Sequence, residues 1–226
     1  KKVDHCIKRM NILKNSQIKT IGLLRMDSLK NLPVKEKKNI LFFSFGYYSP
    51  FLKDQNTGRT FHNKILRKFA ELSKKYPQYN FIIRCKKTMY KNNIKWLKEN
   101  RFLVKNLSVD YESNLHSILK ETKLVFGIQS TALLEASILR LPVILTVFKE
   151  FRSSNFYDDY FLRNYFHLFD VCYDEKEMEN IFRQRVSNFK ISDNILKGRL
   201  KLFDREVSTL PLNSIERFSN LVYRFR

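Results

Sequence analysis

The chain has 226 residues, 43% of them hydrophobic, which suffices for one well-buried core and points to a single globular body with appendages. Its three cysteines, Cys6, Cys85 and Cys172, are scattered without CxxC or Cys/His spacing, so neither a disulfide framework nor a zinc site is expected and a reducing cytoplasm suits the chain. The formal charge of +21 and pI near 9.9 favour phosphorylated ligands, nucleic acid or anionic lipid, and read equally as solvated surface.

The Lys-rich first nineteen residues, with Ile12, Leu13 and Ile18, have the makings of a short amphipathic helix, but no apolar stretch behind them resembles a secretion signal. No run approaches the roughly 20 apolar residues that a bilayer-spanning helix needs. Ile21 to Leu29 follows, then a polar connector with Pro33 and the charge run Lys35 to Lys38, which reads as a linker. Residues 1–37 are therefore taken as an interdomain segment and linker, and 38–226 as the domain proper.

Within the domain, apolar runs predict strands at Asn39 to Phe45, Asn80 to Cys85, Phe102 to Val104, Leu124 to Ile128 and Pro142 to Val147. Helical spacing predicts helices at Phe61 to Tyr76, Asn93 to Glu99 and Glu112 to Glu121. Phe151 to Phe169 reads as an aromatic-rich loop, Asp170 to Tyr173 as a weak strand, and Glu175 to Val186, Asp193 to Val207 and Ser214 to Tyr223 as helices. The alternation of strand and helix specifies an α/β fold: a Rossmann-like, doubly wound parallel sheet with extra C-terminal helices.

Such sheets bind ligands beyond the carboxyl ends of their strands. The residues there are Ser44, Gly46 and Tyr48 after the first strand, Arg84, Lys86 and Lys87 after the second, and Gly127, Gln129, Ser130 and Thr131 after the fourth. Tyr48 offers a ring for stacking on a base or sugar. The stretch LVFGIQSTALLEASILRLPVIL, Leu124 to Leu145, is strand, turn, helix and strand. Ser130 or Thr131 can cap its helix while the N–H groups of Thr131 and Ala132 stay free to donate to an anion, with the helix dipole adding to the attraction. An ordinary cap with water in place of ligand fits the turn equally well. Glu135 lies one helical turn beyond Thr131, placed to accept hydrogen bonds from a ribose diol. Arg84 can clamp a phosphate with two hydrogen bonds. His5, His62, His116 and His167 form no metal-binding pattern, and GxSxG, GxxxxGK[ST] and GxGxxG motifs are absent.

Three segments resemble a known family. Ile21 to Leu29 is similar to a G-x-x-R-x-D-x-L segment, Arg84-Cys85-Lys86 to a basic strand end, and Ser130 to Ile144 to an S-x-x-x-x-E-A helix leading into a Pro-Val-Ile strand. Together they resemble the nucleotide-sugar-binding half of GT-B glycosyltransferases of bacterial surface polysaccharide biosynthesis, including relatives that use CDP-glycerol. The resemblance implies a metal-independent glycosyltransferase with no cofactor beyond its nucleotide-activated donor. Ser130, Thr131 and Arg84 would bind the donor's phosphates and Glu135 its ribose. Ser44 and Gly46 would face the leaving group, and Arg25 and Asp27 an interdomain cleft. The acceptor would be a growing glycan or a lipid-linked carrier, reached from a cytoplasmic position peripheral to the inner face of the membrane. The family has a second, acceptor-binding domain before the position of Gly22, so either that half lies outside this chain or transferase activity has been lost. Two alternatives remain: a basic nucleic-acid-binding module, without any recognisable RNP, KH or helix-turn-helix signature, and a non-catalytic scaffold at a membrane surface.

Overall fold

A computed structural model describes residues 21–29, 37–46, 54–154 and 157–223. Tyr48, Pro33, Lys35 and the first nineteen residues lie outside the described residues.

Six parallel strands form one sheet: β1 (Asn39–Phe43), β2 (Asn80–Arg84), β3 (Leu107–Asp110), β4 (Thr122–Gly127), β5 (Val143–Thr146) and β6 (Asp170–Cys172). Their spatial order is β3-β2-β1-β4-β5-β6. The chain therefore runs outward from β1 to β3, returns to the middle, and runs outward again from β4 to β6. The reversal between β1 and β4 leaves a crevice at the strands' carboxyl ends, where helices on the two sides diverge. The Rossmann-like fold expected from the alternating pattern is the fold observed.

β1 and β5 are buried along their whole length, and β4 along all but Lys123, because both sheet faces are covered, which is why these strands read as apolar runs. On one side α1 (Gln55–Lys75) packs with α5 (Lys149–Arg152) and α6 (Glu175–Ser187); elsewhere α4 (Thr131–Ile138) packs on α7 (Asp193–Glu206). Phe69 of α1 anchors the core, with ring centroids 5.6, 5.1 and 5.7 Å from Phe42, Phe81 and Phe126 on three adjacent strands. Edge and tilted packing of this kind adds about 0.5–1.5 kcal/mol per pair beyond burial.

Several boundaries differ from the sequence expectation. The third strand lies at Leu107–Asp110 and not at Phe102 to Val104, where Phe102 instead stacks on Trp96 near the end of α2 (Lys87–Glu99) at 5.7 Å. α1 begins six residues early, its start fixed by the Asp54 side chain accepting from the Thr57 N–H at 2.8 Å. α2 begins at Lys87, behind an N-cap, Lys86, that makes no side-chain bond. α3 (Leu115–Lys120) is shorter than expected, and the aromatic stretch after β5 contains α5 and a 3-10 helix, Arg163–Leu168.

The segment Ile21 to Leu29, with its 3-10 helix Leu24–Leu29, docks on α8 (Ser214–Tyr223). Gly22 has φ +95°, and a Cβ there would sit 2.5 Å from Ser214 Oγ, so only glycine allows this approach. The Leu23 N–H donates to Ser208 Oγ at 2.9 Å and Met26 is fully buried. Beneath the sheet's edge, buried Arg199 donates to the carbonyls of Leu168 (2.8 Å) and Leu141 (2.7 Å) and lies over the Phe169 ring. No described helix is long and apolar enough to cross a membrane.

Candidate functional site

Strands β2, β1 and β4 end side by side, and beyond them opens a cavity of about 820 Å³, within the usual size of ligand sites. Three strand-to-helix connections build its wall: Ser44 to Gly46 after β1, Arg84 to Thr88 running into α2, and Ile128 to Ser130 running into α4. Phe43, Phe61 and Phe151 give it an aromatic face, in which Phe61 stacks parallel to Phe151 at 6.2 Å and Phe45 leans on Phe61 at 5.1 Å. Tyr111 and Leu115 enter from the β3 side.

Seven of the residues singled out from the sequence meet on this wall: Ser44, Gly46, Arg84, Lys86, Lys87, Gln129 and Ser130. Lys86 and its neighbour Lys87 are exposed at the start of α2. Arg84 is held in place by Asp110, its register partner on β3, through a 2.6 Å bond between Nη1 and Oδ2. Burial pushes the Asp110 carboxyl up, but bonds from Ser113 and the Arg84 charge outweigh it and hold the group below the usual carboxylate range. Arg84 therefore reaches the cavity with part of its charge already answered.

The α4 turn differs in detail from its expected form. Ser130 is the N-cap, and its Oγ accepts the Ala132 N–H at 3.1 Å, so that donor is occupied by the cap itself. Thr131 is exposed and stands outside the cavity wall. Gly127 lies against Leu133, whose Cδ2 would be 2.9 Å from an added Cβ, so its missing side chain serves helix-to-strand packing.

Glu135 is 1% exposed and is not among the residues lining the cavity. Its Oε1 accepts from Arg25 Nη2 at 3.2 Å, and its Oε2 pairs with His116 Nε2 at 2.9 Å. His116 Nδ1 in turn lies 2.5 Å from Ser28 Oγ. Both carboxylate oxygens are engaged and the group is almost wholly buried, so a ribose diol would reach it only if a covering neighbour moved. Arg25 is the easier to displace, its side chain being 60% exposed against 14% for His116. Asp27, expected at an interdomain cleft, has both oxygens on backbone N–H groups of α8, Ser214 at 2.9 Å and Ile215 at 2.8 Å.

Sequence reasoning missed His62 and Asn93. His62 belongs to the inward stripe of α1 with Ile65, Leu66 and Phe69, and its spacing from them was the available signal. Its Nε2 lies 2.8 Å from Ser44 Oγ, which also receives Asn93 Nδ2 at 3.4 Å. Complete burial lowers the imidazole pKa to about 4, so the ring is neutral. Among the described residues no group of three His, Cys, Asp or Glu side chains is placed to hold a metal ion.

No protein-family model matches the chain, and no curated protein matches it by sequence. Solved structures do match it in fold. A mutant of Staphylococcus aureus TarM in complex with fondaparinux, alpha-GlcNAc-glycerol and UDP superposes with TM-score 0.51 at 18% identity, over 84% of this chain and 37% of that one. A second TarM structure gives 0.51 at 17%, over 84% and 36%. S. aureus MnaA with UDP gives 0.50 at 12%, over 84% and 49%. At such identity the likeness is one of fold, and this chain spans less than half the length of each of those proteins.

Proposed function

We propose that this chain is the donor-binding domain of a GT-B type glycosyltransferase, holding a nucleotide-activated sugar or sugar-like donor in the cavity beyond β1, β2 and β4. One observation carries the reading: the 820 Å³ cavity opens where the sheet order reverses, with Arg84, Lys86, Gln129 and Ser130 converging on it from two strand ends. The similarity of fold to TarM and MnaA, both solved with UDP, supports it.

The chemistry follows from charge. Departure of a nucleoside diphosphate builds negative charge on its terminal phosphate, and fixed cations and N–H donors aimed there lower the barrier without reorganising. Arg84 and Lys86 supply the cations, and the α2 start supplies a positive helix terminus beside them. These protein groups do the neutralising that a divalent cation does in other transferases, so the reaction is metal-independent. Thr131 and Glu135, neither of which lines the cavity, complete the donor contacts once Arg25 yields its place. The acceptor, a glycan or lipid-linked carrier, is bound by a second domain. A positive surface suits peripheral attachment to an anionic leaflet on the cytoplasmic side, at about 1 kcal/mol per basic residue near the surface.

Calorimetric titration with UDP, CDP, UDP-N-acetylglucosamine and CDP-glycerol tests the proposal. Saturable binding that weakens about tenfold or more in Arg84→Ala is expected; no binding of any of the four by the folded protein refutes it.

A further inference from the structure

α2 has two unlike faces. Met89, Asn93 and Leu97 are buried against the sheet, while Lys87, Lys91, Lys95 and Lys98 follow one another along the opposite side, all exposed. The row runs for about 16 Å at the helical rise per residue. Glu99 is the single acid of the helix and pairs with Lys95 at 3.8 Å. Like charges three and four residues apart weaken a helix, so this face is favourable only against an anion.

The corner after α2 continues the pattern. The Phe102 N–H donates to the Leu97 carbonyl at 2.9 Å and the Arg101 N–H to the Lys98 carbonyl at 3.1 Å, the two bonds of a Schellman motif. Such a motif needs a left-handed residue after its C-cap, Asn100, and glycine fits best; Arg101 stands there instead, exposed, at φ +55°. A cation kept at the expense of backbone strain points to a use outside the fold. Leu103 comes next, 52% exposed, on a loop pinned by Asn106, whose Nδ2 donates to the carbonyls of Ser73 at 2.9 Å and Tyr79 at 3.0 Å. Lys74 of α1 closes on the same corner, its Nζ donating to the Arg101 carbonyl at 3.2 Å and lying 4.5 Å from the Phe102 ring centre. From Lys86 to Lys105 the chain carries seven basic residues and one acid.

We propose that this flank, the exposed face of α2 with the Arg101 to Lys105 loop, docks on an anionic lipid leaflet: the lysines and Arg101 meet headgroup phosphates, and Leu103 enters the boundary with the acyl chains. It rests on the peripheral attachment proposed above and names the face that makes it; donor binding is a separate question with its own titration. Charge alone would suit a nucleic acid as well, but a nucleic acid offers no apolar phase to Leu103. The rings that could stack on bases, Trp96 and Phe102, already lie face to face at 5.7 Å. Lys86 and Lys87, at the other end of the row, line the cavity, so a leaflet along α2 brings the cavity mouth beside a lipid-linked acceptor.

Flotation with vesicles of phosphatidylcholine alone, and with equal parts of phosphatidylglycerol, tests the proposal at physiological salt. Wild type is expected to bind the anionic vesicles only, and failure to bind them overturns it. Each cation removed should weaken binding about fivefold, so Lys91→Gln, Lys95→Gln and Lys98→Gln together lower it about a hundredfold. Lys176→Gln, Lys197→Gln and Lys201→Gln, exposed on α6 and α7, remove the same charge elsewhere and should have far less effect; equal losses in the two triple variants overturn the proposal. Arg101→Gly is expected to weaken binding while leaving Tm unchanged or raised, which separates docking from folding, and undiminished binding by this variant counts against the surface. Leu103→Ser should weaken binding severalfold; no change, or a random RNA oligonucleotide that displaces the vesicles, overturns the lipid assignment. UDP titration of the Lys91, Lys95 and Lys98 variant should match wild type. If wild type binds no UDP, the donor-site reading fails and the vesicle result still decides this one.

Discussion

Asp27 accepts the backbone N–H of Ser214 at 2.9 Å and that of Ile215 at 2.8 Å, capping α8 from a segment remote in sequence. Partial burial raises its carboxyl pKa, but the two backbone bonds and the Arg217 charge more than offset this, and the net shift is downward. Asp27→Ala is expected to cost about 1 kcal/mol, the usual worth of an N-cap, read as a lower Tm near neutral pH. The folded state holds the carboxylate more tightly than the unfolded chain does, so this stability is present above the unfolded pKa and fades as acid takes the pH through the lower folded value. Wild type and variant should converge there; a gap that persists in strong acid removes the charge from the account.

His62 gives a dependence that sets in nearer neutrality. Its pKa falls from 6.5 in the unfolded chain to about 4 in the fold, because burial penalises the imidazolium. Between those values the unfolded state binds the extra proton, so acidification favours unfolding, by on the order of 3 kcal/mol across the window. Urea midpoints measured from pH 7 to pH 4 should fall for wild type and fall less steeply for His62→Gln. Equal slopes would remove His62 as the source.

Arg84 and Asp110 should act with opposite signs on ligand affinity. Asp110 offers Arg84 a carboxylate at 2.6 Å, in competition with any anion in the cavity. Asp110→Asn is expected to strengthen UDP binding severalfold, while Arg84→Ala weakens it about tenfold or more, the range of a hydrogen bond to a charged group. Titration at two salt concentrations checks the cause, since a charge effect shrinks as salt rises. Weaker binding by Asp110→Asn would mean that Asp110 aligns Arg84 more than it competes for it.

Arg199 is 1% exposed, and its partners are carbonyls. Removing the guanidinium strands the Leu141 and Leu168 oxygens, at about 1–3 kcal/mol for each buried group left without a partner. Arg199→Ala should therefore unfold at markedly lower denaturant than Arg199→Lys, whose ammonium keeps one of the two bonds. Indistinguishable midpoints would show that packing alone sets the cost.

Most of the sheet was legible because its central strands are buried on both faces and appear as runs such as Ile40 to Phe43 and Leu124 to Phe126. The edge was not. Only Leu107 of β3 is buried, so its four residues carry no apolar run, whereas the apolar residues Phe102 to Val104 looked more strand-like, although Leu103 is exposed and Phe102 stacks on Trp96 of α2. α2 was shortened because Lys86 gives no capping signal, and α1 because Gly58 looks like a loop residue. At the site, strand ends predicted which residues would meet, since position after a strand follows from the fold. The partners that qualify those residues, Asp110 on Arg84, His62 on Ser44 and His116 on Glu135, come from other elements, and no local pattern announces a contact between them.

Asp27 and Ser214 stand 187 residues apart, and Gly22 fits only against the surface that Ser208, Thr209 and Ser214 create. On a ribosome adding roughly 5–20 residues per second, the Ile21 to Leu29 segment emerges tens of seconds before its mate exists. The sheet can assemble in that interval, but the segment that carries Arg25 to Glu135 gains its docking surface only when synthesis reaches α8, so a helix distant in sequence completes the region around Ile21 to Leu29.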